Sequence, residues 1–145
     1  ALKSGCDIVT DTQMAKAGIN KTILASLGGE VHCFMSDPDV AQEARSRGVT
    51  RAFVSMEKAA ALEKPCIFAI GNAPTALLSL EQLMEEGKAA PALIIGVPVG
   101  FVNVEISKER IIEKARAPYI VARGRKGGSN VAAAICNALL YQIRR

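Results

Sequence analysis

The chain has 145 residues, of which half are hydrophobic and only 4% aromatic, and it carries a net charge of +4. This length predicts one domain, residues 1–145, with a core of Ala, Val, Ile and Leu. Basic residues form no polybasic tail and are not interleaved with aromatic ones, so we expect no nucleic-acid partner. There is no charged-then-apolar leader and no apolar run near about 18 residues, so we expect no membrane partner and a cytoplasmic location.

The four cysteines are scattered along the chain and form no C-x-x-C pair. They are Cys6, Cys33, Cys66 and Cys136. Apart from the neighbours His32 and Cys33, no histidine lies near a cysteine at ligand spacing. The pattern favours free buried thiols in a reducing compartment over a metal site. We therefore predict no bound metal.

The first half of the chain alternates between predicted strands and helices. The strand CDIVTD is followed by two short helical pieces, TQMAKAG and NKTILASLGG, and Asn20 can cap the second. The next strand is EVHCFM. A helix then begins at Asp37-Pro38 and stops at Gly48, and Thr50 can cap the one that follows.

The second half continues the alternation. Residues 65–87, PCIFAIGNAPTALLSLEQLMEEG, predict a buried strand, a polar turn and a helix that Asn72 caps and Gly87 ends. A fourth strand, ALIIGV, precedes a helix that we expect Ser107 to cap. That helix carries the apolar residues Ile111, Ile112 and Ala115. The fifth strand is YIVAR, and Ser129 begins the last helix.

Short, continuously apolar strands separated by helices are typical of a parallel sheet covered on both faces. The predicted fold is therefore α/β, with three α/β/α layers and a mostly parallel, doubly wound sheet of about five strands. In such sheets ligands bind outside the carboxyl ends of the strands.

Three loops rich in glycine or polar residues follow predicted strands, at residues 71–75, 96–101 and 123–130. We expect all three at one edge of the sheet, around one crevice. The last loop places Arg123, Arg125 and Lys126 beside a glycine pair and the N–H groups of a helix start, which suits an anionic ligand. The alternative is a solvated turn whose basic residues only face water.

Acid–base candidates are few. The single histidine, His32, lies inside an apolar strand, where a packed residue is favoured over a catalytic one. Asp11 ends the first strand and could contact a ligand or cap the following turn. Glu105, Ser107 and Lys108 could complete the crevice wall, or could serve only as helix cap and surface charge. No Walker A or G-x-G-x-x-G nucleotide motif is present.

Four long stretches, in order, resemble the precorrin-8X methylmutase (cobalt-precorrin-8 methylmutase) family. They are CDIVTDTQMAKAGI, IFAIGNAPTALL, IIGVPVGFVNVEISKE and PYIVARGRKGGSNVAAAICNALL. The resemblance implies an isomerase of cobalamin biosynthesis that moves a methyl group between adjacent ring carbons of a corrin precursor. It also implies a three-layer homodimer or higher homo-oligomer, with active sites between subunits and no cofactor.

For such an isomerase, we expect residues of the loops described above to hold the tetrapyrrole. The expected substrate-binding residues are Asp11, Thr12, Asn72, Thr75, Arg123, Arg125, Lys126 and Ser129. Family members carry their catalytic histidine upstream of the stretch CDIVTDTQM, where this chain begins, so the role cannot be carried over to His32. We expect either a methylmutase with that segment cut away or a shortened relative. The alternative function is a non-catalytic corrinoid-binding protein, and the catalytic residue stays unknown.

Overall fold

The computed structural model describes residues 1–100, 102–114 and 116–144. Phe101 of the predicted crevice loop and Ala115 of the predicted helix lie outside this set. The described residues form five strands and seven helices. In chain order they are β1 (Asp7–Thr10), α1 (Gln13–Gly18), α2 (Lys21–Ser26), β2 (Val31–His32), α3 (Pro38–Arg47), α4 (Arg51–Ala60), β3 (Cys66–Ile70), α5 (Pro74–Glu85), β4 (Leu93–Gly96), α6 (Val104–Lys114), β5 (Tyr119–Val121) and α7 (Ser129–Arg144).

The five strands form one parallel sheet with the order β2-β1-β3-β4-β5. Successive residues of a strand point to opposite faces of the sheet, so one strand can contribute side chains to the apolar core on each face. Ile8 and Ile67 belong to the apolar cluster that includes residues of α2 and α7. Val9 and Phe68 belong to the cluster on the other face, with residues of α4, α5 and α6. The predicted three-layer α/β fold is confirmed.

The edge strands are shorter than the sequence predicts. EVHCFM was expected to form a strand, but only Val31 and His32 pair with β1. YIVAR contributes only Tyr119–Val121. Both strands have a sheet neighbour on one side only, so fewer backbone hydrogen bonds hold each residue in the extended conformation.

Several predicted helix boundaries are confirmed. Asn20 Oδ1 accepts the N–H of Ile23, and Thr50 Oγ1 accepts the N–H of Phe53. Gly48 ends α3 in the left-handed region at φ +67°, which glycine adopts without Cβ strain. None of the described helices is both long and apolar enough to cross a bilayer.

The four cysteines are buried free thiols, as predicted. Burial raises the pKa of Cys66 to about 11 and that of Cys136 to about 12. Because the thiolate is the reactive form, we expect iodoacetamide to label the folded chain slowly up to about pH 9. Mass spectrometry after unfolding in urea should show all four cysteines labelled. Rapid labelling of Cys136 without denaturant would contradict the buried placement.

Candidate active site at the carboxyl edge of the sheet

The strand order reverses between β1 and β3, because β2 lies on one side of β1 while β3, β4 and β5 follow on the other. At such a switch point the loops after the two strands diverge and leave a crevice, which is where open parallel sheets bind ligands. The loop after β1 contains Asp11 and Thr12, and the loop after β3 contains Gly71, Asn72 and Ala73. The predicted polar loop at residues 71–75 and the loop after β1 therefore meet at the position that the topology favours.

Asp11 fastens these two loops together. Its side chain is buried, with Oδ1 accepting the N–H of Gly71 at 2.9 Å. Oδ2 accepts the N–H groups of Asn72 at 2.9 Å and Ala73 at 2.6 Å. Burial raises the pKa of Asp11, although the three N–H bonds act in the opposite direction. Both oxygens are thus used to fix the backbone that precedes α5.

This arrangement corrects two predictions about helix capping. Asn72 does not cap α5; the N-cap is Ala73, which has no side-chain cap bond, and the carboxylate of Asp11 accepts the backbone N–H of this N-cap residue. Asp11 does not cap α1 either, because Thr12 does so by accepting the N–H of Ala15 at 3.0 Å. Asn72 is left exposed at the crevice, and Thr75 lies half-buried in the first turn of α5.

The loop before α7 completes the crevice. The hydroxyls of Thr12 and Ser129 are hydrogen-bonded at 2.8 Å, which joins the first loop of the chain to the last. Gly128 N–H donates to Val97 O at 2.8 Å. A Cβ at Gly127 would lie 2.0 Å from the same Val97 oxygen, so only glycine allows the two backbones to come this close. The three predicted loops, after β3, β4 and β5, meet at one edge, and the loop after β1 joins them there.

Lys108 is a buried support for this loop. Its side chain is fully buried, and Nζ donates to Gly124 O at 2.7 Å and to Lys126 O at 2.9 Å. Burial lowers the pKa of Lys108, and Glu105 acts in the opposite direction. The reading of Lys108 as surface charge is therefore wrong.

Ser107 was expected to cap this helix, but α6 begins three residues earlier, at Val104. Ser107 is instead buried inside the helix, where its hydroxyl donates to Val104 O at 2.8 Å. The spacing of Val104, Lys108 and Ile111 matches a buried helical stripe, and that spacing was the available signal for burial of Lys108.

The predicted cations lie at the rim of the crevice, in contact with water. Arg123 Nε lies 3.5 Å from Glu109 Oε1, and Arg125 Nε lies 3.1 Å from Glu105 Oε1. Lys126 is also exposed. Exposed ion pairs contribute little stability, so an anionic ligand can compete for these cations at small cost. The loop thus combines buried anchors with exposed positive charge.

His32 does not lie at this crevice. Its Nε2 is 2.9 Å from Oδ2 of Asp7, the first residue of β1, whereas the crevice follows the last. His32 is the single histidine of the chain. Its hydrogen-bond partner, Asp7, lies away from the predicted substrate loops.

The fold and the site define a doubly wound α/β protein with a cluster of contacting loops at its switch point and exposed cations beside them. The sequence profile of the family described as precorrin-8X methylmutase matches residues 1–142. The chain belongs to the precorrin-8X methylmutase family.

Two curated relatives and one solved structure support this family assignment. The chain is 49% identical over 139 residues to the cobalt-precorrin-8 methylmutase of Priestia megaterium, covering 96% of this chain and 61% of that protein. It is 49% identical over 145 residues to the enzyme of the same name from Salmonella typhimurium, covering 99% and 67%. The precorrin-8x methyl mutase structure from Thermus thermophilus superposes with a TM-score of 0.86 at 38% identity, covering 99% of this chain and 69% of that one. The chain thus spans 61% and 67% of the length of these two curated relatives.

Gly71→Ala should disturb the crevice through sterics alone. A Cβ there would lie 2.7 Å from Ser129 Cα and 2.8 Å from Gly128 O, so backbone must move. We expect a loss of about 1–3 kcal/mol in the free energy of unfolding and faster amide hydrogen exchange at residues 127–129.

Gly48→Ala is the matched control for this substitution. It has open space but a left-handed φ, so it should cost about 1–2 kcal/mol without changing exchange at residues 127–129. Equal exchange at those residues in both variants would contradict the close approach of the two loops.

Lys108→Met should remove the donor from two backbone carbonyls while keeping most of the side-chain volume. An unsatisfied buried polar group costs about 1–3 kcal/mol, so we expect a loss of at least that size in urea denaturation. Lys114→Met changes an exposed lysine of the same helix and should stay within about 0.5 kcal/mol of the parent. Indistinguishable midpoints for the two variants would show that Lys108 does not support the loop.

Proposed function

We propose that the protein is an isomerase of cobalamin biosynthesis that converts precorrin-8X to hydrogenobyrinate, or cobalt-precorrin-8 to cobyrinate. The observation that carries this proposal is the family match over residues 1–142, together with relatives at 49% identity named cobalt-precorrin-8 methylmutase. These similarities favour the isomerase over the non-catalytic corrinoid-binding alternative. Product and substrate are isomers, since one methyl group moves between adjacent ring carbons.

Substrate recognition is proposed to use the rim and floor of the crevice in different ways. The substrate ring carries acetate and propionate groups, which pair well with Arg123, Arg125 and Lys126. The N-terminal N–H groups of α7 add donors of positive partial charge beside these side chains. Asn72, Thr75 and Ser129 supply neutral polar contacts, while Asp11 and Thr12 hold the loops in place.

The proposed reaction requires the protein to orient the substrate and to transfer one proton, and it requires no electron transfer. Fixing the ring over a rigid crevice supplies the orientation, because the reacting carbons are held in one geometry. The N–H groups bound by Asp11 and the carbonyls bound by Lys108 keep the loops from rearranging around the ligand. His32 is not proposed as the proton donor, because Asp7 holds it away from the crevice.

We also propose a homodimer and a cytoplasmic location. Exposed apolar side chains of Tyr119 and Ile120 on the edge strand β5, with Ile106 on α6 nearby in the chain, support a subunit contact. Four free thiols fit a reducing compartment.

An absorbance titration with precorrin-8X tests the proposal, because the substrate and the corrin product differ in their conjugated ring. Conversion to the product spectrum is the expected result. A stable shift of the spectrum on binding, without conversion, would favour the corrinoid-binding alternative for this chain. An unchanged spectrum would contradict both the isomerase and the corrinoid-binding hypotheses.

Removing rim charge should weaken tetrapyrrole binding without unfolding the protein. Lys126→Ala and Arg123→Gln should each raise the dissociation constant by about threefold to tenfold, since each removes an exposed charge-assisted contact. Binding of both variants should also depend less on salt. Arg116→Gln, an exposed cation outside the loop, is the control and should bind like the parent. Equal loss of affinity in all three variants would argue against a specific rim.

A further inference from the structure

A second group of side chains, two carboxylates and one imidazole, lies near the amino ends of β1 and β2, away from the crevice. Asp7, Glu30 and His32 each present one donor atom, and the three atoms lie within 4.8 Å of one another. The strand register explains why they meet. His32 pairs with Val9, two residues beyond Asp7, and Glu30 lies two residues before His32, so all three share one face of the sheet.

Hydrogen bonds from neighbouring groups fix the position of the Asp7 carboxylate. Its side chain is 5% exposed, and its Oδ1 accepts the N–H of Glu30 at 2.9 Å and the Nζ of Lys64 at 3.0 Å. Oδ2 is left to face His32 Nε2 at 2.9 Å.

We propose that this cluster is a binding site for a divalent first-row transition-metal ion such as Zn²⁺, held by Asp7 Oδ2, the Glu30 carboxylate and His32 Nε2. The ion takes the place of the hydrogen between Oδ2 and Nε2. Water fills the remaining positions. One imidazole and two carboxylates form a mixed nitrogen and oxygen donor set that suits zinc, cobalt and nickel.

The surroundings support the ligands in the manner of a metal site. Lys64 and the Glu30 N–H occupy Oδ1 and so orient the carboxylate, as outer-shell partners do. The ring of His32 stacks on Phe34 with centroids 5.5 Å apart, which limits its rotation.

The expected consequence is structural. β2 is an edge strand of two residues, and the ion would tie it to the start of β1. A ligand that binds only the folded chain raises its stability in proportion to the logarithm of its concentration. Metal should therefore raise the melting temperature without any tetrapyrrole present, which separates this inference from the proposed function.

The test is titration of the metal-free protein with Zn²⁺ by calorimetry and with Co²⁺ by absorption. We expect one saturable site per chain and a higher melting temperature. We also expect no thiolate-to-cobalt charge-transfer band. His32→Ala and Glu30→Gln should each weaken binding by more than about tenfold, a loss that even outer-shell changes reach. Asp39→Asn, which removes an exposed carboxylate beside Lys58, is the control and should bind like the parent.

Three results would overturn the proposal. They are the absence of saturable binding, a cobalt–thiolate band, and unchanged affinity in Glu30→Gln. Glu30 is exposed, so its substitution should leave the fold intact and decide the question even if His32→Ala does not fold. Circular dichroism of each variant establishes that the folded chain is being compared.

Discussion

The carboxylate of Asp11 is the constraint on which the candidate active site depends. At the switch point the loops after β1 and β3 must diverge, yet three backbone N–H groups of the second loop need acceptors. Asp11 satisfies all three from a buried position. With Gly71 fixed in this way, its backbone can lie against Ser129, and the loop before α7 takes its place above the sheet.

The polar groups around the crevice are therefore of two kinds, buried and exposed. Asp11 and Lys108 are buried, and their bonds go to backbone atoms of the loops. Arg123 and Lys126 are exposed, and their charge faces solvent at the rim. A bulky anionic ring can be matched by such exposed cations only if the loop that carries them is already rigid, because ordering a flexible loop on binding would weaken affinity.

The fold class and the meeting of the loops could be predicted because both follow from local patterns. Short apolar strands alternate with helices, and the carboxyl ends of parallel strands share an edge. The roles of single polar residues could not be predicted in this way. Asp11 meets its partners 60 to 62 positions along the chain, and Asp7 meets His32 across 25. Asn72 has the residue type of a cap, but it lies one residue before the N-cap, and the Asp11 carboxylate binds its backbone N–H. Lys108 was detectable only by its helical spacing from Val104 and Ile111.

Amide hydrogen exchange in Asp11→Asn tests the account most directly. Asparagine keeps the side-chain size but replaces one acceptor oxygen with a donor, so at least one of the three N–H bonds must be lost. We expect exchange at residues 71–73 to be faster by roughly 5-fold to 100-fold, as follows from a loss of about 1–3 kcal/mol, with little change in the β3 strand itself. Tetrapyrrole affinity should fall in the same variant. Unchanged protection at residues 71–73, or equal acceleration across the whole sheet, would contradict the central role of Asp11.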